Sequence, residues 1–370
     1  MTDLTPRARE WAATMAGHGN AESTFAHSDS DAALHFERPI GREMREERED
    51  ALLSRGATRA VGAGNRAREE VPDPERTCFE RDRDRIVHST AFRRLAGKTQ
   101  VVVYPTDHQR TRLTHAIEVA QVATSIARGV GANVSLVDAI ALGHDCGHGP
   151  GGHASEDALD PYLPEGYDHG PWGANVVLAD LNLCAETLDG VRNHSWSRPA
   201  PQTVEGEIVS WADRIAYCAH DLEDAIHAGI VTADEIPANV IDLAGRTRRS
   251  QLSCFVHAVI EHTFSTNRVG MAADIAEALA SLRAFNYERI YTRPDSVAQA
   301  HAVIEVLRGL VDFYLENSSH LPAEVLEAPD RTRAVVAYVA GMTDRFAFDA
   351  ATHLLGWKVE KLPRGIGHGA

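Results

Sequence analysis

The chain has 370 residues, 44% hydrophobic and 24% charged, enough apolar material for a large core in one large domain or two closely packed ones. Lys and Arg total 37 against 53 Asp and Glu, and the net charge of −16 argues against nucleic-acid binding driven by the field of the whole molecule. No run approaches the roughly 18 apolar residues of a membrane span, and the start MTDLTPRARE lacks an apolar leader, so a cytoplasmic protein with no membrane partner is expected.

Residues 1–70 mix Gly, Ala, Ser and His with the charge-dense run GREMREERED (41–50) and show little periodicity, which predicts a weakly ordered N-terminal extension. The next stretch is locally basic. From Arg76 to Arg112 there are nine Arg or Lys and four Asp or Glu, an excess of +5 in an acidic chain, suited to receiving a compact anion. From about residue 76 the apolar spacing is helical and strand-like alternation is rare, so the predicted fold is all-α. A core over 71–232 and a helical C-terminal region over 233–370, packed on that core, are expected.

Three helices matter most for chemistry. In RLTHAIEVAQVATSIARGV (112–130), Leu113, Ile117, Ala120, Ala123, Ile126, Ala127 and Val130 recur at steps of three and four and predict one buried face, with His115 near its start. In SLVDAIALGHDCGHG (135–149), Ser135 is the expected N-cap, Val137, Ile140, Ala141 and His144 share a face, and Gly147 and Gly149 end the helix after His144 and Asp145. A third helix is predicted from about Val204 to Ala228. Its core side is Ile208, Ile215, Ala219, Leu222 and Ile226, and a polar stripe of Asp213, Tyr217, Asp221 and Asp224 faces solvent or a polar cavity. Helical patterns follow in SVAQAHAVIEVLRGLVDFYLEN (296–317) and AVVAYVAGMTDRFAFDAATHLL (334–355), and GIGHGA (365–370) reads as a frayed tail.

Five cysteines without a C-x-x-C pair point to reduced thiols and away from a structural zinc site. The histidines carry more information: His144, His148, His153 and His169 fall within 26 residues. A histidine on the preceding helix and an aspartate on the later polar stripe complete a candidate metal set of His115, His144, Asp145 and Asp213. Two imidazoles and two carboxylates leave open positions on an octahedral ion for water or a phosphate oxygen, the arrangement of a hydrolytic site. There is no G-x-x-x-x-G-K-[ST], G-x-G-x-x-G or G-x-S-x-G sequence, so neither a P-loop, a dinucleotide fold nor a serine-hydrolase elbow is supported.

The H…HD…D order resembles the HD-domain phosphohydrolases. Five ordered blocks, FERDRDRIVHSTAFRRLAGKTQV (79–101), RTRLTHAIEVAQVATSIA (110–127), AIALGHDCGHGPGGHASE (139–156), IVSWADRIAYCAHDLEDAIHAGI (208–230) and YVAGMTDRFA (338–347), resemble bacterial deoxyguanosine triphosphate triphosphohydrolases and their broader dNTPase relatives. The resemblance covers roughly residues 65–360. It implies an all-helical HD fold with additional C-terminal helices, and cleavage of dGTP or another dNTP to deoxynucleoside and intact triphosphate by water attacking the α-phosphorus. By resemblance His115, His144, Asp145 and Asp213 are the ligands of a divalent metal, Mn²⁺ or Mg²⁺. His148 and His169 stand for the catalytic histidines, and Glu156 for the acid that orients His148. His153, Arg112 and Arg214 stand for phosphate contacts. Tyr217 and Asp221 stand for residues that face the deoxyribose, Asp221 accepting from the 3′-hydroxyl and Tyr217 crowding out a 2′-hydroxyl. Gln100 matches a glutamine that senses the sugar.

The resemblance also implies a homo-oligomer, a tetramer or hexamer, and an activating nucleotide. Alternatives are an HD-type nucleotide phosphatase or phosphodiesterase, and a nucleotide- or single-strand-binding regulator with a weakened site, although the net charge does not point to nucleic acid. One departure bears on the site: relatives place an aromatic residue in the turn where this chain has Gly149, Pro150, Gly151 and Gly152. A looser turn carrying His148 and His153 is therefore expected.

Overall fold

A computed structural model describes residues 4–101 and 109–363. The tail expected at 365–370 lies outside them. The described residues form seventeen α-helices and a single two-stranded pairing, an all-α fold. The chain divides into two units, after Ile40.

In the first unit Thr5 caps a helix, α1 (Pro6–Ala13), by accepting from the amide of Ala8, and His18–Gly19 pairs antiparallel with Thr24–Phe25. None of its described residues is buried.

The second unit begins with α2 (Arg42–Leu52), α3 (Cys78–His88) and α4 (Thr90–Arg94). A capping box between Thr77 and Glu80 starts α3, and Ser89 caps α4. Buried Arg66 pairs with Asp82 at 2.6 Å and donates to the carbonyls of Ala63, Cys78 and Asn182, which pins the loop before α3 to the body. The central packing is made by α5 (Arg112–Val130), α6 (Val134–Gly143) and α10 (Val204–His227). On α5 the buried residues include Ala116, Ala120, Ala123 and Ala127, side chains small enough to let α6 and α10 approach closely.

Three local expectations differ. The buried face of α5 runs through Ala116, Val119, Ala123 and Ile126, and Ile117 is 52% exposed, because an alanine-rich helix offers two nearly equal apolar stripes and packing selects one. The N-cap of α6 is Asn133, whose side chain accepts from the amides of both Ser135 and Leu136. The helix ends at Gly143, so His144 and Asp145 follow it in tight turns closed by Cys146 N–H to Gly143 O and His148 N–H to Asp145 O. Gly147 is required there, since a Cβ would lie 2.0 Å from the carbonyl of His169.

Short helices α7 (Ala154–Leu159), α8 (His169–Trp172) and α9 (Ala185–Asn193) complete the segment before α10. Beyond α10 come α11 (Ala238–Ala244), α12 (Arg248–Thr266), α13 (Ala273–Asn286), α14 (Pro294–Glu316) and α15 (Ala323–Leu326). The last continuous helical pattern is broken into α16 (Arg331–Ala340) and α17 (Asp344–Leu355), with Thr343 capping α17 through Phe346 N–H. Two apolar clusters result, one around α5, α6 and α10, the other joining Leu159 and Trp172 to α14, α16 and α17.

Candidate active site

His115 from the first turn of α5, His144 and Asp145 from the turn after α6, and Asp213 from the middle of α10 converge. His115 Nε2 lies 3.0 Å from Asp213 Oδ1 and 3.9 Å from Asp145 Oδ2. His144 Nε2 lies 3.5 Å from Asp145 Oδ1 and 3.7 Å from Asp213 Oδ1. The other nitrogen of His144 sits 2.6 Å from the carbonyl of Ala141, so the ring proton belongs on Nδ1 and Nε2 carries a lone pair. That buried Nε2 has no hydrogen-bond partner. A lone pair aimed at two carboxylate oxygens is repulsive unless a cation lies among them, so this residue set fits a divalent metal. Despite burial, the Arg112 guanidinium holds Asp145 well below the usual carboxylate range, and the hydrogen bond with His115 does so for Asp213.

Beside this cluster, His148 stacks on His169, centroids 3.8 Å apart. Glu156 hydrogen-bonds His169, through both Nδ1 and the backbone amide, and lies 3.3 Å from His153 Nδ1. Its expected partner was His148; the acid instead serves the second histidine, since α7 faces Glu156 toward the start of α8. His169 Nε2 is 3.0 Å from His194 Nε2. His194 in turn donates Nδ1–H to the carbonyl of Val191, which leaves its Nε2 an acceptor and places a proton on His169 Nε2. Burial disfavours charge on His169, but Glu156 outweighs it and raises this imidazole, whereas burial together with Arg112 and His169 pushes His148 well below its ordinary value. His148 Nδ1 has no hydrogen-bond partner, and Nε2 lies 3.2 Å from Asp145 Oδ1 in poor hydrogen-bond alignment.

A cavity of about 600 Å³ opens over these groups. Of the thirteen residues singled out in the sequence, all but His144 and Glu156 line it, and those two touch residues that do. Arg112 is buried, with one nitrogen 2.6 Å from Asp145 Oδ2 and two others, Nε and Nη2, without partners. His153 is exposed at the rim. The guanidinium of Arg214 lies 3.4 Å over the ring of Trp196. At the far end Tyr217 accepts from Arg283 Nε at 2.8 Å, and Gln100 presents a buried, partnerless Oε1. Asp221 is already engaged, one oxygen by Arg110 and the other by the hydroxyl of Tyr291.

His194, Trp196, Arg110, Arg283 and Tyr291 escaped the sequence reading. Only a histidine beside a tryptophan in VRNHSWSR hinted at the first two, and Arg110 and Tyr291 meet Asp221 across long chain separations that no spacing announces.

Residues 112–218 match the HD domain model and residues 269–353 the phosphohydrolase-associated domain model. The chain is 40% identical over 316 residues to a deoxyguanosinetriphosphate triphosphohydrolase-like protein of Caldanaerobacter subterraneus subsp. tengcongensis, covering 83% of this chain and 93% of that one. It is 38% identical over 299 residues to the protein of the same description in Clostridium perfringens, covering 76% and 87%. Among solved structures, a phosphohydrolase from Bacteroides thetaiotaomicron matches with a TM-score of 0.48 at 17% identity, over 72% of this chain and 68% of that one.

Proposed function

The chain belongs to the HD-superfamily phosphohydrolases, among the deoxyguanosinetriphosphate triphosphohydrolase-like proteins, and from that premise we propose that it is a metal-dependent dNTP triphosphohydrolase. The observation that carries this reading is one cavity with two chemically distinct ends. One end has the metal-competent cluster and the unpaired donors of Arg112; the other has the aromatic and carboxylate wall of Tyr217 and Asp221.

A divalent cation held by His115, His144, Asp145 and Asp213 would polarise a phosphate oxygen and the attacking water. Mn²⁺ or Mg²⁺ suits a set with two carboxylates and no thiolate. Arg112 offers its two unpartnered nitrogens, Nε and Nη2, to phosphate oxygens, and Arg214, next to Asp213 and stacked on Trp196, supplies a second cationic contact. Water attacks the α-phosphorus, the bond from phosphorus to the 5′-oxygen breaks, and deoxynucleoside and triphosphate leave. His148, neutral and with Nδ1 unpartnered, moves the proton between the water and the leaving oxygen. His169, held protonated between Glu156 and His194, keeps His148 neutral by its charge. Tyr217 and Asp221 face the deoxyribose.

The basic stretch offers little to a nucleic-acid regulator. Arg76 pairs with Asp73 and Asp84, Arg81 and Arg85 with Glu70, and Arg83 with Asp84 and Asp138, so that most of its charge is spent within the fold. Family resemblance also supports a cytoplasmic homo-oligomer, a tetramer or hexamer, with an activating nucleotide.

The test is incubation with each dNTP and with GTP, with Mn²⁺ or with chelator, products being resolved by ion exchange. Deoxynucleoside and triphosphate formed only with metal are expected. Orthophosphate or pyrophosphate as the product would move the cleavage to another phosphorus and overturn the triphosphohydrolase reading. No turnover, even of dNTP mixtures, would sink the reading.

A further inference from the structure

The break Gly341–Thr343 between α16 and α17, together with Asp344 at the start of α17, has no part in the chemistry above, yet it grips the active site from outside the HD domain match. Asp344 is buried, and its two carboxylate oxygens take three hydrogen bonds. Oδ1 accepts from the amide of Gly151 at 2.8 Å. Oδ2 accepts from the amide of Thr99 at 3.0 Å and from the hydroxyl of the same residue. Gly151 lies in the turn between His148 and His153, and Thr99 immediately precedes Gln100. A single carboxylate therefore fixes both the histidine-bearing turn and the strand-like segment that brings Gln100 to the cavity.

Two further contacts act on the same parts. Buried Lys98 donates to the carbonyl of His148 and, at 2.9 Å, to that of Ala340. Gly151, at φ 73°, packs so tightly on Val303 of α14 that a Cβ would come within 2.5 Å of that side chain. The turn is thus anchored without the aromatic residue whose absence predicted a looser one.

We propose that Asp344 is a positioning residue of the active site, setting the turn of His148 and the segment of Gln100 in register, so that the HD core is catalytically incomplete without the 341–344 segment. The inference rests on the dNTPase reading of this site only for its kinetic readout. An amide cannot replace the carboxylate: in Asp344→Asn whichever oxygen becomes –NH₂ stops accepting, so the bond from one backbone amide, that of Gly151 or that of Thr99, is lost, and only the Thr99 hydroxyl can reverse its role and accept.

In the full-length Asp344→Asn chain, with Mn²⁺ and the preferred dNTP, kcat is expected to fall by about tenfold or more, the scale of a misplaced catalytic group, with metal content unchanged. Amide hydrogen exchange is expected to quicken in peptides covering 97–101 and 148–155 while those of α5 and α10 stay as protected as in wild type. A kcat within twofold of wild type, or exchange that quickens throughout the chain, would overturn the inference. If Asp344→Asn yields no folded protein, Thr99→Val, which removes one of the three hydrogen bonds, is read by the same two measurements. A wild-type chain that hydrolyses no dNTP would defeat the proposed function, and the exchange pattern would still decide this one.

Discussion

The imidazole of His148 lies flat against that of His169, the planes only 16° from parallel. Two imidazolium ions cannot share such a contact, so one ring must stay neutral. Acceptors at both nitrogens of His169, the Glu156 carboxylate and His194 Nε2, decide which. The cation is on His169, and His148 is the neutral ring facing the cavity.

This division sets the pH profile. Activity that needs neutral His148 is lost as pH falls through its value, which lies well below the ordinary one, so the acid limb is displaced to low pH. Activity that needs protonated His169 is lost as pH rises through its raised value. Glu156→Gln removes the anion that raises it, so the basic limb of kcat/KM moves to lower pH. A basic limb that does not move would belong to another group.

Metal affinity and catalysis should separate by residue. Asp213→Asn removes a charge from the convergent set, and metal content after gel filtration should drop, together with the rise in Tm that added Mn²⁺ gives the wild type. His148→Ala should keep both while turnover falls by about 10² or more. Full metal occupancy in Asp213→Asn would strike that residue from the ligand set, and metal loss in His148→Ala would add His148 to it.

Much of this arrangement is legible in one dimension. Helical periodicity put His144 on the apolar face of its helix and Asp213 on a polar stripe beside a core side, and the H…HD…D order joined them with His115, near the start of α5, into one set. Periodicity failed at Ile117, where alanines leave the stripe's phase undetermined, and at the end of α6, where turn hydrogen bonds displace the helical ones four residues before Gly147. Contacts such as Arg110 with Asp221 or Asp344 with Gly151 join residues more than a hundred apart in the chain, and a lone polar residue in a helical pattern gives no sign of its distant partner.

Lys98 should leave a mark on stability. Burial pushes its ammonium down to about 8, although Asp344 opposes the shift. Between that value and the unfolded one of about 10.4, the unfolded chain binds the extra proton, so stability rises with pH across the window. At about 1.4 kcal/mol per unit the contribution of this group amounts to roughly 3 kcal/mol. Denaturant unfolding at several pH values should show wild type gaining on Lys98→Met as pH rises from about 8 to 9.5, where the lysine begins to lose its proton in the folded state. A difference independent of pH would mean that the folded protein holds Lys98 at its ordinary value.

Sugar selection should reside in Tyr217. Its hydroxyl accepts from Arg283 at 2.8 Å, and one turn further along α10 Asp221 is clamped by Arg110 and Tyr291, so this part of the cavity wall is braced in place. A fixed ring excludes an added hydroxyl by contact, a discrimination that is at most about 10² for a single group of that size. Tyr217→Ala should therefore raise the ratio of kcat/KM for GTP over dGTP by about tenfold, chiefly through GTP. Tyr217→Phe keeps the ring, loses only the Arg283 bond, and should shift the ratio far less. Metal content should match wild type in both variants, since the Tyr217 hydroxyl is engaged by Arg283 and by none of the four ligand side chains. Equal losses for GTP and dGTP in Tyr217→Ala would show that the ring supports the cavity without choosing between sugars, and selection would then have to come from Gln100 or Asp221.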